Sequence, residues 1–389
     1  MFKRVFLTSL LFFIGFVGCN KLDDDFPPKD PTVAFVEISA QNMYGVANDI
    51  NVINFDIKIY DSKNSIIKST YDLLVNGTPY SSTNKFKTSS PGIYQIQVKS
   101  GEILSNVLEV EMREAVEFKI ETRFIIFHIV HDGEEIGEGY NISSERIDYQ
   151  MNLLNKTFEQ NNHLTPNSYL SNIKFKLATI DPEGNNLQEA GINRVQRPNV
   201  NSKILFEEWM WKHYWDPDFY INVWIGDTGN GYSWGIYPST QCGEETIEGI
   251  DCTDNEEPDH RIEGIALELD NLYNENWVFP HEMGHLFGLF HIFSGDICNA
   301  DVDFCPDTLQ YNRTLYESNN TNNKRISCNN KNFISYNIMD YWNQPNGLRD
   351  LTYDQIKRIR FIVNHGKWRG AKTFADGTPR NMYDLRKGN

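Results

Sequence analysis

Residues 281–291 read HEMGHLFGLFH and combine three histidines, one glutamate and two glycines. On a helix, residues four apart lie on the same face, so His281 and His285 would both direct their rings at one metal ion. Neutral imidazoles suit zinc, and three protein ligands plus one water form a hydrolytic zinc site. The third ligand would be His291, which a continuing helix would not bring back to the metal. Gly288 has no Cβ, so it can adopt positive φ, end the helix and turn the chain toward the metal.

Glu282 lies beside the first of these histidines and supplies the remaining chemistry. Zinc lowers the pKa of a bound water to about 7, and a nearby carboxylate can take its proton as the water attacks a carbonyl. The same carboxylate would then pass the proton to the departing amine. For a chain with nine histidines, the chance of this extended pattern is on the order of one in 100,000. The motif therefore predicts metal-assisted hydrolysis.

The elements that must position this motif belong to a domain predicted to span residues 114–389. RFIIFHIVHDG at 123–133 and YINVWIG at 220–226 predict buried strands. A helix is expected from Ser143, with apolar residues at spacings typical of one buried face. A last helix should begin at Thr352, where Thr-x-x-Gln forms a capping box. Strands that alternate with helices in this way predict an α+β fold.

Residues 32–113 have a different pattern. Ile53, Phe55, Ile57 and Ile59 alternate with polar residues, which is typical of a strand with one buried face. Several such short runs separated by turns predict a small all-β, immunoglobulin-like sandwich. The segment contains neither histidine nor cysteine, so we interpret it as a spacer or weak binding module.

The first residues predict export. Lys3 and Arg4 precede an apolar run that is too short to span a bilayer but suits a signal peptide over residues 1–18. Gly18-Cys19 resembles a bacterial lipobox, in which Cys19 would be lipidated, and the acidic, proline-containing residues 19–31 would form a tether. The sequence therefore predicts an outer-membrane lipoprotein exposed at the cell surface. A plain secretory signal with an incidental cysteine is the alternative.

The charge of the chain limits its partners. A net charge of −17 would repel phosphate backbones, which argues against a nucleic-acid partner. No stretch beyond the N-terminal run is apolar enough to cross a membrane, so membrane contact would occur only through the lipid anchor. No pattern in the sequence indicates an oligomeric state.

The extended motif HExxHxxGxxH resembles that of the metzincin zinc peptidases. NIMDYW at 337–342 is similar to their Met-turn, which implies that Met339 forms an apolar floor under the zinc histidines. Tyr341 matches a tyrosine that in some metzincins reaches the zinc or the reacting carbonyl oxygen. Within this clan the chain resembles the pappalysin-type peptidases over about residues 120–365, through FIIFHIVHDG, EAGINRV, INVWIG, CPDTLQYN and NIMDY. The resemblance implies a zinc endopeptidase with protein or peptide substrates.

The resemblance also implies features around the motif. It implies a disulfide between Cys298 and Cys328 and leaves Cys305 without an evident partner. It places GYSWGIYP at 231–238 on the edge strand that pairs with an extended substrate. The DTP segment of the relatives is altered here, because Leu309 follows Asp307-Thr308. Independently of the resemblance, Cys242 and Cys252 could close a small loop.

Two further groups of residues have alternative interpretations. The acidic stretch at 249–259 has the oxygen-rich composition of calcium-binding loops but lacks an EF-hand pattern, so a calcium site and a solvated loop both stay open. His128 and His131 lie in or beside a strand; we predict a structural role for them, and additional metal ligands are the alternative.

Two alternatives to the endopeptidase come from different functional classes. One is a non-catalytic surface-binding lipoprotein on the same fold, and the other is a zinc hydrolase of a non-peptide amide. The presence of Glu282 argues against the first, because a decayed enzyme would be expected to lose its base.

Overall fold

The computed structural model describes residues 32–158, 165, 167–197, 206–229, 231–254, 263–274, 277–295, 298, 302–315, 323–341 and 349–370. The predicted signal peptide, the lipidation site Cys19 and the tether lie outside these residues. Within the described ranges, no helix combines the length and apolarity that crossing a bilayer requires.

The N-terminal strands form two sheets around one apolar core. They are β1 (Val33–Ala40), β2 (Tyr44–Ala47), β3 (Ile53–Asp61), β4 (Asp72–Val75), β5 (Thr78–Pro79), β6 (Lys85–Phe86), β7 (Gly92–Ser100), β8 (Ile103–Leu104) and β9 (Leu108–Glu114). One sheet has the order β1-β3-β6, and the other has the order β2-β9-β7-β4-β5 with β8 on β7. In β3, Ile53, Phe55 and Ile59 are buried while Asn54 and Asp56 are exposed, which confirms the predicted half-buried strand.

The rest of the chain is a mixed α+β domain. Its strands are β10 (Glu121–His131), β11 (Ile173–Leu177), β12 (Ile192–Gln196), β13 (Ile221–Gly226), β14 (Trp234–Gly235), β15 (Thr240–Gln241), β16 (Cys252–Thr253), β17 (Gly264–Glu268), β18 (Phe293–Ser294), β19 (Tyr311–Asn312), β20 (Lys324–Ile326) and β21 (Asn332–Ile334). Its helices are α1 (Ser144–Phe158), α2 (Phe206–Lys212), α3 (Leu269–Asn274), α4 (Val278–Leu286) and α5 (Tyr353–His365). The main sheet has the order β11-β10-β13-β17-β14, and β12 also pairs with β10.

The main sheet is parallel except at one edge. β10 pairs in parallel with β11, β12 and β13, and β13 pairs in parallel with β17. β14 lies antiparallel to β17 and is the edge strand. Parallel strands are buried on both faces, and accordingly β10 and β13 are almost completely buried. Both strands, and the α+β class, were predicted from the sequence and are confirmed.

Helices α1 and α5 follow their sequence patterns. The predicted inner face of α1 is buried and packs near α4. Helix α5 begins after Thr352, whose side chain accepts from the Gln355 backbone in the predicted capping box. Its inner face consists of Ile356, Ile359 and Val363, all of which are buried, as their spacing predicts.

The N-terminal sheets contact the rest of the chain through polar groups that are buried or half-buried. Asn42 donates from Nδ2 to Oδ1 of Asn167 at 2.9 Å and to the backbone oxygen of Asp307 at 3.3 Å. Arg113 forms an ion pair with Asp354 in the first turn of α5. Because buried polar groups are costly to leave unsatisfied, the Asn42 contacts favour this packing of the N-terminal sheets on the rest of the chain.

Candidate metal centre

Helix α4 places His281 and His285 one turn apart on its inner face. Both side chains are buried. Nδ1 of His281 donates to the backbone oxygen of Ile338 at 2.7 Å, and Nδ1 of His285 donates to that of Leu289 at 2.8 Å. A carbonyl only accepts, so each Nδ1 carries the ring proton. Each Nε2 therefore keeps a lone pair that is available to a metal.

Gly288 ends α4 and returns the chain to the histidines. Its φ is +83°. The Gly288 amide donates to the oxygen of His285, and the Leu289 amide donates to that of Gly284, both at 2.9 Å. This pair of bonds is a Schellman motif, which requires a left-handed residue at the position Gly288 occupies. The turn brings His291 back, with its Nε2 at 3.1 Å from Nε2 of both His281 and His285.

Gly288→Ala is expected to destabilise the protein by about 1–3 kcal/mol, because a Cβ strains the left-handed backbone. The added Cβ would also lie 2.9 Å from Cγ1 of Ile362 in α5. Denaturant unfolding would measure the effect. Gly243→Ala, which has positive φ but open space, should cost less, and Gly295→Ala, which has neither constraint, should be close to neutral. Equal stability of the Gly288 and Gly295 variants would contradict this account.

The three histidines suit a zinc ion. Their ligand atoms lie within 4.8 Å of one another. Among the described residues, they form the cluster of three or more side chains that could hold a metal ion. Burial lowers the pKa of His285 to about 4 and that of His291 to about 3, and it lowers the pKa of His281 well below its usual value. Neutral imidazoles with converging lone pairs are the donor set of a catalytic zinc site.

Glu282 is buried beside this cluster and contacts the edge strand. Burial raises the pKa of its carboxyl to about 8, and a hydrogen bond from the Gly235 backbone opposes this shift. A cation held by the histidines would also lower it. A Cβ at position 235 would lie 2.4 Å from the Glu282 backbone oxygen, so only glycine lets β14 approach α4 this closely. The resemblance placed Gly235 in the edge-strand segment 231–238, but the sequence did not reveal its approach to Glu282, because that contact is between distant elements.

Met339 lies under the histidine-bearing helix, where the resemblance placed it. It is fully buried, and its Sδ would be 2.5 Å from a Cβ at Gly284. The Met339 amide donates to Oδ1 of Asn337 at 2.9 Å, which holds the turn in shape. Gly284 was not predicted to have a role, although a glycine inside a helix can mark close packing.

Tyr341 lies against the histidines, and two further residues join it. Its ring centroid is 4.6 Å from that of His291 and 5.2 Å from that of His281. Arg313 lies over the Tyr341 ring at 4.2 Å. Tyr237 is 5.1 Å from the ring of His285 and stacks on Phe290. Tyr237 lies in the segment 231–238 that the resemblance assigned to the edge strand, whereas no pattern in the sequence pointed to Arg313.

Two disulfides brace the loops around the centre. They join Cys242 to Cys252 and Cys298 to Cys328, the two pairs named from the sequence. Cys305 has a free, buried thiol, and burial raises its pKa well above the usual value. The Cys298–Cys328 disulfide closes the loop between His291 and the Met-turn.

The remaining predicted groups lie apart from the metal centre. His128 is fully buried, and its ring nitrogens contact Asn222 and Asn193 at 2.9 Å, which is a structural role. His131 bonds the Gly133 amide through Nδ1. Positions 255–259 of the acidic stretch lie outside the described residues, so its calcium site stays a prediction.

Comparison with known sequences assigns the region that contains this centre. The family model of M43 peptidases, described as pregnancy-associated plasma protein-A, matches residues 205–364. An extracellular metalloprotease from Neurospora crassa is 24% identical over 191 residues, which cover 47% of this chain and 55% of that protein. The chain thus spans about half the length of this curated relative.

Comparison with solved structures supports the fold. Mature mirolysin from Tannerella forsythia, in complex with a cleaved peptide, matches with a TM-score of 0.50 at 21% identity and covers 70% of this chain and 100% of its own. A promirolysin mutant from the same organism matches with a TM-score of 0.51 at 21% identity and covers 68% and 88%. The chain therefore has a fold similar to that of mirolysin, and its residues 205–364 match the family model of the pappalysin-type metallopeptidases.

Proposed function

We propose that this protein is a zinc-dependent endopeptidase that cleaves extracellular proteins or peptides. One observation carries the proposal. Three imidazoles with converging Nε2 atoms lie next to a buried glutamate, and all four side chains come from one helix and the turn that ends it. This is the arrangement that hydrolysis by activated water requires.

The glutamate would handle the proton. His281, His285 and His291 would hold a zinc ion, which would supply Lewis-acid polarisation of the scissile carbonyl and acidify water. Glu282 takes the proton of the attacking water and transfers it to the departing amine. The Gly235 amide, which donates to the Glu282 carboxylate, keeps this group oriented during both transfers.

Tyr341 and strand β14 would bind the substrate around the reacting bond. Burial raises the pKa of Tyr341 to about 12, so its phenol stays protonated and can donate to the developing oxyanion. Among the strands that the structure describes, β14 pairs with β17 along one side only. An extended peptide can add to its other side through backbone hydrogen bonds, which would lay the scissile bond across the histidines.

The test is incubation of the purified protein with a mixed peptide library, with and without a zinc chelator. We expect internal cleavage that the chelator stops and that added zinc restores. Binding without any cleavage would favour the non-catalytic binding lipoprotein. Cleavage of small amides but of no peptide would favour the non-peptide hydrolase. Either result would overturn the endopeptidase assignment.

The N-terminal strands are, in this proposal, an immunoglobulin-like module over residues 32–113 that supports the catalytic domain over 114–389. Two facing sheets with their own core support it, as do the buried hydrogen bond of Asn42 and the half-buried ion pair of Arg113 with the rest of the chain. An experimental structure with one continuous core across residue 114 would contradict this division.

The location follows from residues 1–25, in which Cys19 would carry the lipids that anchor the protein to the outer membrane. Several acyl chains anchor stably, whereas one holds weakly. Cys19→Ser should therefore move the protein from the membrane fraction to the soluble fraction. Protease added to intact cells should degrade the wild type and spare a periplasmic marker. Unchanged membrane association of the variant would contradict the lipoprotein assignment.

A further inference from the structure

Arg313 is a cation at the edge of the metal centre. It lies in the 3-10 turn Arg313–Leu315, directly after β19. Its guanidinium carbon is 4.2 Å from the ring centroid of Tyr341 and 5.0 Å from that of Phe293. Phe293 in turn stacks on His291 at 4.7 Å. Only one layer of aromatic rings therefore separates the Arg313 charge from the metal ligands.

Five other arginines of this region form ion pairs with carboxylates, whereas Arg146, like Arg313, lies over aromatic rings. These pairs are Arg194–Glu189, Arg197–Asp132, Arg325–Asp340, Arg360–Glu121 and Arg369–Glu263. Within the part of the chain that the structure describes, Arg313 has aromatic neighbours and no carboxylate neighbour. A guanidinium that lies over an aromatic face keeps the N–H donors at its edge available for a planar, bidentate hydrogen bond to a carboxylate.

The rest of the chain does not favour acidic peptides. Its net charge is −17, which repels anionic peptides at long range. A local cation is therefore required if such peptides are to be held at the metal centre. Because the Tyr341 ring is 4.6 Å from that of His291 and 4.2 Å from the Arg313 guanidinium carbon, a side chain beside a scissile bond held at the histidines would reach Arg313.

We propose that Arg313 is a specificity-determining residue that binds a substrate carboxylate, on an aspartate or glutamate next to the scissile bond. This inference rests on the proposed endopeptidase function. The enzyme would then prefer peptides with an acidic residue next to the cleaved bond. Arg313 acts on the choice of peptide, while Glu282 and the histidines act on the bond that breaks.

The test compares matched peptides that carry Glu or Gln beside the cleaved bond. Wild type should have the higher kcat/KM for the Glu peptide, and Arg313→Met should lower the Glu-to-Gln ratio about tenfold or more, since a charged hydrogen bond is lost. Methionine keeps an apolar chain against the two rings. Arg313→Glu should shift the preference to a Lys peptide. Lys176→Ala removes an exposed charge of β11 and should leave the ratio unchanged.

A second measurement does not depend on turnover. Calorimetry on Glu282→Gln, with and without Arg313→Met, should find tighter binding of the Glu peptide only when Arg313 is present. If Arg313→Met affects both peptides equally in kinetics and binding, Arg313 is a packing residue and the inference is wrong. If wild type cleaves no peptide, the endopeptidase proposal fails, and the binding measurement still decides whether Arg313 selects acidic peptides.

Discussion

Glu282→Gln is expected to lower peptide turnover at least a hundredfold, the scale of losing general-base catalysis, and to leave the zinc content unchanged. Glutamine has nearly the same shape as glutamate but cannot take a proton from water. Glu282 is adjacent to His281 but is not one of the three converging ligands, so metal binding should persist. Steady-state kinetics with a cleavable peptide, together with elemental analysis, would measure both effects.

The matched control is Glu248→Gln, which changes an exposed glutamate outside the centre. It should keep wild-type turnover and zinc. Turnover of Glu282→Gln close to that of the wild type would assign the proton transfer to another group. Loss of zinc from Glu282→Gln would instead indicate that the carboxylate supports the ligands, and the mechanism above would need revision.

His285→Ala should lose most of the bound zinc, with a drop from about one ion per chain in the wild type. Changes to residues that hydrogen-bond to metal ligands already lower metal affinity or activity about 10–100-fold. Removal of a direct ligand should lower metal affinity by more. The substitution also removes the ring that fixes the turn through Leu289. Elemental analysis and peptide turnover should therefore decrease together.

The control for this variant is His365→Ala, since His365 at the end of α5 pairs with Glu245 and lies outside the histidine cluster. It should retain about one zinc per chain, as a catalytic site requires, and wild-type turnover. Full zinc content in His285→Ala would show that the ligand assignment is wrong. If His285→Ala unfolds in part but its folded fraction keeps the zinc, the ligand assignment is also wrong.

The sequence by itself determined the components of the metal centre that depend on local geometry. His281 and His285 are one helical turn apart, and this spacing alone places them on one face. Gly288 follows at the position where a helix ends in a left-handed residue, and its φ is +83°. The strands β10 and β13 and the start of α5 were also predictable, because burial pattern and capping are properties of short segments.

Only the tertiary structure decided which distant residues complete the centre. The resemblance implied Met339 and Tyr341, but not that Gly235 approaches Glu282 from an edge strand, that Gly284 leaves room for Met339, or that Arg313 lies over Tyr341. None of these contacts leaves a signal in local periodicity, because periodicity reports which face of an element is buried and not which element covers it. Side-chain packing between elements is specified by the shapes of both surfaces at once. The histidines were therefore evident from one stretch of sequence, whereas the residues that orient the base and would select the substrate became apparent only when the sheet, the turn and the loop had been brought together.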